Sequence, residues 1–150
     1  SLGIKKKNYT TSIDKQFLET SLTELKDIFK ENNQSYKIMH FIINKYSIDG
    51  VNYNSFENEI DGENMCVEVK FISIPNILMK EISHVLEKYQ IKVDRFFDRN
   101  YINNFSGLDS LDLSIVAYNL KNGQNHNEIG LVPKNPKIKG FFEKFFQLFS

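Results

Sequence analysis

This sequence has only one cysteine, no net charge and no long apolar run. A single cysteine in 150 residues excludes an internal disulfide framework and a cysteine-rich metal site, and it suits a reducing compartment. Nineteen basic and nineteen acidic side chains cancel, so no overall field draws the chain to nucleic acid. No stretch approaches the ~20 apolar residues that a membrane-spanning helix needs, and no apolar core of signal-peptide length follows residues 1–10. These absences predict a cytoplasmic protein without a nucleic-acid partner.

The composition that remains is typical of one packed domain. Hydrophobic residues make up 41% of the chain and aromatic residues 13%, which favours a globule over a disordered chain. The three histidines, His40, His84 and His126, lack the short spacing of a metal pair, so we expect His40 to be a packed, hydrogen-bonded strand residue. Cys66 lies in an apolar run and is expected to be an inert buried thiol. We therefore expect that this protein is not an enzyme and binds no cofactor.

Apolar periodicity predicts an α+β fold with two helices packed on an antiparallel-rich sheet. The expected elements are a helix over 12–30, strands over 37–46 and 66–74, a helix over 76–90, and strands over 91–97 and 111–120. Turn signals stand at Asp49-Gly50 and Asp61-Gly62. One stripe of the second helix is expected to face inward, and it consists of Leu78, Ile82, Val85, Leu86 and Tyr89.

The C-terminal segment is predicted to be an amphipathic helix over 139–150, after a flexible linker over 121–138 that follows a domain over 1–120. Such a short helix is marginal alone in water, so it needs a surface that buries its apolar face. An anionic membrane surface is one candidate, because lysines flank that face. The expected membrane-binding residues are Lys137, Lys139, Phe141, Phe142, Lys144, Phe145, Phe146, Leu148 and Phe149. The alternative is a helix docked on the core of its own domain or on an oligomer interface.

Three segments resemble the insertion domain of FtsA, an actin-like family of bacterial cell-division proteins. The run His40-Phe41-Ile42-Ile43-Asn44-Lys45-Tyr46-Ser47-Ile48-Asp49-Gly50 is similar to the family's His-hydrophobic-hydrophobic-Pro-x-x-aromatic-x-hydrophobic-Asp-Gly motif, with Ile43 in place of the usual Pro. The strand from Met65 to Ile72 and the helix and short strand over 76–97 follow in the family's order. The closing Gly-Phe-Phe-x-Lys-Phe-Phe pattern resembles the family's membrane-targeting helix.

The resemblance implies a strand-helix-strand-strand module (SHS2-like) and a role in the cell-division machinery. It implies a cytoplasmic adaptor, peripheral on the inner face of the cell membrane, that binds lipid through its tail and FtsA-like subunits or other division proteins through its α+β domain. ATP binding is not implied, because no phosphate-loop signature is present. The competing hypothesis is a soluble binding or oligomerisation domain whose Phe-rich helix packs in its own core.

Overall fold

The computed structural model describes residues 1–54, 56, 59–105 and 112–130. These residues form an α+β fold with an antiparallel sheet, as the sequence predicts. Within them, no helix is long and apolar enough to cross a membrane. The chain divides into two compact units, one made of Ser1–Gln34 and Ile42–Phe71, the other of Ser35–Phe41 and the described residues from Ile72 onward.

The first unit contains most of the sheet. Four strands pair in the order β1-β6-β3-β4, and two short strands, β2 and β5, pair separately. Strands β3 and β6 are long and supply residues to both units. The strands among the described residues are β1 (Leu2–Lys7), β2 (Ser12–Asp14), β3 (Tyr36–Ile48), β4 (Val51–Tyr53), β5 (Glu59–Asp61) and β6 (Asn64–Pro75).

Helix α1 (Lys15–Asn32) confirms the first predicted helix. Asp14 caps it, because its carboxylate accepts a hydrogen bond from the Phe17 backbone N–H at 2.8 Å. Leu18, Leu22 and Leu25 recur at helical spacing and are buried, so they form the core that faces the sheet of this unit.

Alternation along β6 is confirmed as well. Met65, Val67 and Val69 are almost fully buried, whereas Glu68 lies on the exposed face. Cys66 also lies on the face opposite the core and is only partly buried, which corrects the expectation of a buried thiol.

Strand β1 is not predicted from the sequence. It pairs antiparallel with β6, from Leu2 opposite Val69 to Lys7 opposite Asn64. Its three consecutive lysines give the segment a low strand propensity, so the residue pattern does not indicate a strand. The strand forms because β6 supplies the pairing partner.

The turn after β3 follows the Asp-Gly signal. Asp49 and Gly50 have φ angles of 48° and 83°, the left-handed pair that a tight hairpin turn requires. The Asp49 carboxylate also accepts backbone hydrogen bonds from Glu63 at 3.0 Å and Asn64 at 2.9 Å. These bonds lower the pKa of Asp49, since they stabilise its charged form. One carboxylate thus joins the β3–β4 turn to the start of β6.

The described part of the second unit contains three helices, and two strand predictions there are wrong. Helices α2 (Asn76–Glu87), α3 (Arg99–Asn103) and α4 (Leu113–Lys121) replace the expected arrangement of one helix and two strands. Residues 91–97 are irregular, although both the residue pattern and the family resemblance predict a strand there. The expected strand over 111–120 is helical from Leu113, because Asp112 caps the Ser114 N–H and the buried Val116 and Leu120 are four residues apart.

The first residues of the expected linker, 121–130, lie within the described chain. Glu128 and Ile129 are buried there, and the Ile129 N–H donates to the Phe41 carbonyl oxygen at 2.7 Å. This short segment is packed despite its polar composition. The rest of the expected linker, from 131 to 138, lies outside the described residues.

Candidate binding surface of the second unit

A buried histidine marks the centre of the second unit. The His40 side chain lies on β3, has no solvent exposure and packs against two aromatic rings. The Tyr101 ring centroid is 4.2 Å from the His40 centroid, and that of Phe97 is 5.5 Å away. The structure therefore confirms the packed, hydrogen-bonded strand histidine that the sequence predicts.

The hydrogen bonds of His40 determine its tautomer. The Asp98 backbone N–H donates to Nε2 at 3.0 Å, so Nε2 must be unprotonated. The proton of the neutral ring is then on Nδ1, which lies 2.7 Å from Glu128 Oε1 and donates to it. Both ring nitrogens are therefore already bonded.

Glu128 is a buried carboxylate with several partners. Its side chain has no solvent exposure, and its Oε2 accepts a hydrogen bond from the Tyr101 hydroxyl. The Arg95 guanidinium lies 3.6 Å from Oε1. A buried charge is tolerated when it is paired and hydrogen-bonded, and this one has both kinds of partner.

Burial and the Glu128 carboxylate also shift the pKa of the neighbouring Tyr101 hydroxyl. Desolvation, followed by the hydrogen bond to Glu128, raises the pKa of Tyr101, so its hydroxyl stays protonated and remains a donor. The Tyr101 hydroxyl in turn accepts from Asn125 Nδ2 at 2.9 Å. The four side chains of His40, Tyr101, Asn125 and Glu128 form one continuous chain of hydrogen bonds, which we call the buried polar cluster.

His40 and Glu128 form a His–carboxylate pair of the kind found in catalytic sites, but the geometry of this pair favours a structural role. A general base needs a free ring nitrogen within reach of a substrate, whereas both nitrogens of His40 are bonded and its side chain is enclosed. Among the residues that the structure describes, no group of three or more His, Cys, Asp or Glu side chains is placed to hold a metal ion. The cluster instead fastens the 125–129 segment to β3.

An open cleft of about 410 Å³ lies in the same unit. This volume is within the 300–1,000 Å³ range of ligand-binding clefts. Six of its ten lining residues are apolar, and the others are polar or charged. The lining residues are Lys37, Ile38, Met39, Ile74, Met79, Ser83, Val93, Asp94, Arg95 and Phe96.

Arg95 connects the cleft to the buried polar cluster. It lines the cleft, donates from one guanidinium nitrogen to the Met39 carbonyl oxygen at 3.3 Å, and pairs with Glu128. The Arg95 guanidinium also lies over the Phe97 ring, with its central carbon 5.0 Å from the ring centroid. Burial is the largest influence on the Arg95 pKa and lowers it, although Glu128 opposes the shift. The cluster thus fixes one wall of the cleft.

Helix α2 presents an apolar face to solvent, and this corrects the prediction that the face points inward. Leu78, Ile82 and Val85 on α2, with Tyr89 two residues after its end, form what we call the α2 stripe and are 44%, 36%, 53% and 73% exposed. Leu86, the fifth residue of the predicted inward face, is only partly exposed. No residue of α2 is buried. Periodicity identifies an apolar face of a helix but not the surface that covers it, which explains the error.

The chain matches no protein-family model and no curated protein sequence. Contiguous exposed apolar patches and clefts of this size are the two surface features that most often indicate binding.

The residues predicted from the sequence to bind a membrane all lie outside the described residues, since they fall between Lys137 and Phe149. The other two histidines, His84 and His126, are exposed. The sequence does not identify Glu128 as a partner of His40, because the two lie 88 residues apart. The one signal at this position is an acidic residue directly before Ile129 in an Asn-rich run, and this signal is weak.

Proposed function

We propose that this protein is a non-enzymatic adaptor that joins a protein partner to a membrane surface. The exposed α2 stripe is the observation that supports the protein contact. Large apolar side chains on one exposed helix face are costly in water and typical of interaction surfaces. The resemblance to FtsA suggests the cell-division machinery as the setting, an SHS2-like module as the fold, and an FtsA-like subunit as the partner of the stripe.

The membrane half of the proposal rests on the C-terminal pattern. Five phenylalanines and one leucine between 141 and 149 alternate with polar residues at helical spacing, next to Lys137, Lys139 and Lys144. An interfacial helix of this kind buries its apolar side chains at headgroup depth, and nearby lysines attract anionic lipid. The proposed location is the cytoplasmic face of the cell membrane.

The α2 stripe is expected to support self-association, in which a second copy of this chain takes the place of the FtsA-like subunit. We expect a weak dimer, with a dissociation constant on the order of 10 μM, in sedimentation velocity experiments. Val85→Lys should weaken it at least tenfold, because a lysine would be desolvated at the contact. The loss on changing one contact residue is typically more than 1 kcal/mol at such a position.

His84→Lys is the matched control for this experiment. It introduces the same side chain one position along α2. At about 100° per residue, His84 lies about 130° around the helix from the centre of the stripe. A chain that stays monomeric up to millimolar concentration, or an equal effect of the two lysines, would contradict the subunit contact.

The tail is expected to carry the lipid affinity. The intact chain should pellet with liposomes that contain anionic lipid, and a chain ending at Asn135 should stay in the supernatant. Added salt should weaken the binding, since each lysine near the surface contributes about 1 kcal/mol of screened attraction. The two chains should melt at the same temperature if the tail is not part of the core. Equal sedimentation, or a much lower melting temperature of the shorter chain, would contradict the proposal and favour a tail packed in its own domain.

A further inference from the structure

We infer that the α2 stripe pairs with the same stripe of a second copy in an antiparallel, two-fold arrangement. Ion pairs between Glu81 of one copy and Lys88 of the partner subunit would flank the apolar contact. The inference rests on the proposed function, because it names the partner and the geometry of the protein contact proposed there. The spacing, exposure and charge of the side chains along α2 support it.

The spacing of the α2 stripe is the same in both directions along the helix. Its four residues follow one another at intervals of four, three and four positions. When two such helices run antiparallel, Leu78 lies beside Tyr89 of the partner subunit, and Ile82 lies beside Val85 of the partner subunit. Every apolar side chain of the stripe then meets another one, which a second copy achieves without any further sequence.

The helical periodicity continues beyond the end of α2 at Glu87. Lys88 has φ and ψ angles of -60° and -25°, which are right-handed helical values. The Tyr89 N–H donates to the Leu86 carbonyl oxygen at 3.0 Å, so the turn stays tightly wound. Lys88 and Tyr89 can therefore be placed around the axis of α2 together with the residues before them.

One edge of the α2 stripe carries two opposite charges. At about 100° per residue, Glu81 and Lys88 lie about 20° apart around the axis, directly beside the stripe. Both side chains are exposed, and within the described part of the chain neither forms a salt bridge. They are about 10 Å apart along the axis, too far to pair with each other. Each charge is thus available to a partner.

Antiparallel pairing would bring these charges together between the two copies. In an antiparallel helix pair, equivalent edges of the two helices face each other, so Glu81 faces Lys88 of the partner subunit, and the two-fold axis repeats the pair. In the register set by the stripe, the two residues differ by about 3 Å along the axis, which long side chains can span. Parallel pairing would instead place Glu81 near Leu86 of the partner subunit and leave both charges unpaired.

The other edge of the α2 stripe faces the second unit itself. Met79 and Ser83 lie beyond that edge and line the cleft. The edge with Glu81 and Lys88 therefore points away from the cleft and toward solvent. A two-fold contact uses the same patch on both copies, so the assembly should close as a dimer and grow no further.

Charge reversal in the full-length chain tests the ion pairs. Glu81→Lys should weaken the dimer about tenfold in sedimentation velocity at low salt, because two attractive contacts become repulsive. Lys88→Glu should weaken it by a similar factor. The double variant, Glu81→Lys with Lys88→Glu, should associate like the unchanged chain, since it restores both pairs with their signs exchanged.

Glu87→Lys and Lys80→Glu are the matched controls. They make the same changes of net charge on the same helix, and the two positions are also exposed and seven residues apart. Both lie about 180° around the axis from the stripe, so each should leave the dissociation constant unchanged within about twofold. Added salt should reduce the difference between Glu81→Lys and Glu87→Lys.

Disulfide formation tests the orientation directly. In a Cys66→Ser background, Leu78→Cys supplies the single thiol of the chain. In the antiparallel pair, two copies of position 78 are about 16 Å apart along the axis, whereas a disulfide needs Cα atoms within about 7 Å. With oxidised glutathione, Leu78→Cys alone should not cross-link, and an equal mixture with Tyr89→Cys in the same background should form a mixed dimer.

Several results would overturn the inference. These are equal effects of Glu81→Lys and Glu87→Lys, a disulfide between two copies of Leu78→Cys, no mixed disulfide in a chain that dimerises, and species larger than a dimer. A chain that Val85→Lys dissociates but that does not respond to Glu81→Lys contradicts the antiparallel pairing alone. A chain that stays monomeric contradicts the proposed contact as well. Melting temperatures followed by circular dichroism establish that the variants fold alike.

Discussion

Replacing Glu128 with alanine is expected to lower the free energy of unfolding by about 3–5 kcal/mol, the cost of breaking a buried charge pair. The change removes the acceptor shared by His40 Nδ1–H and the Tyr101 hydroxyl, and both donors are buried. It also leaves the half-buried Arg95 without its carboxylate. Urea unfolding followed by circular dichroism measures the loss.

Two variants make this measurement specific. Asn127→Ala changes an exposed neighbour in the same segment, and its effect should stay within about 0.5 kcal/mol. Glu128→Gln keeps a carbonyl acceptor for one of the two donors, so its loss should lie between those of the other variants. A loss under about 1 kcal/mol for Glu128→Ala would mean that water satisfies both donors, and the cluster would not be a structural anchor.

The same substitution connects stability to the binding surface. Glu128 holds Arg95 in the wall of the cleft and holds the 125–129 segment against β3. Loss of Glu128 should loosen the cleft wall as well as destabilise the unit. Glu128 therefore acts on the cleft as a positioning residue, through Arg95, without lining it.

How far the sequence predicts this site depends on the distance between partners. The packed state of His40 follows from its position in an apolar strand, so the sequence predicts it. Its acceptor is 88 residues away in a polar segment, and no periodicity connects two such positions. The cleft is not predicted for the same reason, because its lining comes from β3, β6, α2 and the irregular 93–96 segment.

The fold shows the same division between local and distant information. Helix α1 and the alternation of β6 are predicted because their patterns are complete within one element. The segment 91–97 is rich in strand-forming residues but is irregular, since a strand needs a neighbour to pair with. Apolar and polar residues alternate over 111–120, which predicts a strand, but the chain is helical from Leu113. The cap at Asp112 and the buried Val116 and Leu120, four residues apart, explain the helix.

Gly62→Ala is the second substitution with a large expected effect, at about 3 kcal/mol of lost unfolding free energy. A Cβ at this position would overlap the Cγ2 methyl of Ile48 and stand 2.8 Å from Asp49 Oδ2. Ile48 is 2% exposed, so its methyl cannot swing into solvent. Movement of Asp49 would strain its hydrogen bonds to the Glu63 and Asn64 backbone N–H groups. Thermal or urea unfolding of the full-length chain measures the change.

Gly50→Ala is the control that separates crowding from backbone conformation. Gly50 has a φ of 83°, and a methyl group added there would meet no atom within 4 Å, so alanine should cost only the left-handed penalty of about 1 kcal/mol. Ile48→Leu has one γ carbon where isoleucine has two, and in that background the cost of Gly62→Ala should fall if the methyl contact causes it. Equal costs at Gly62 and Gly50, or no coupling to Ile48, would contradict the close approach. A glycine that follows Asp61 in a turn signal would then be required for its conformation rather than for its lack of a side chain.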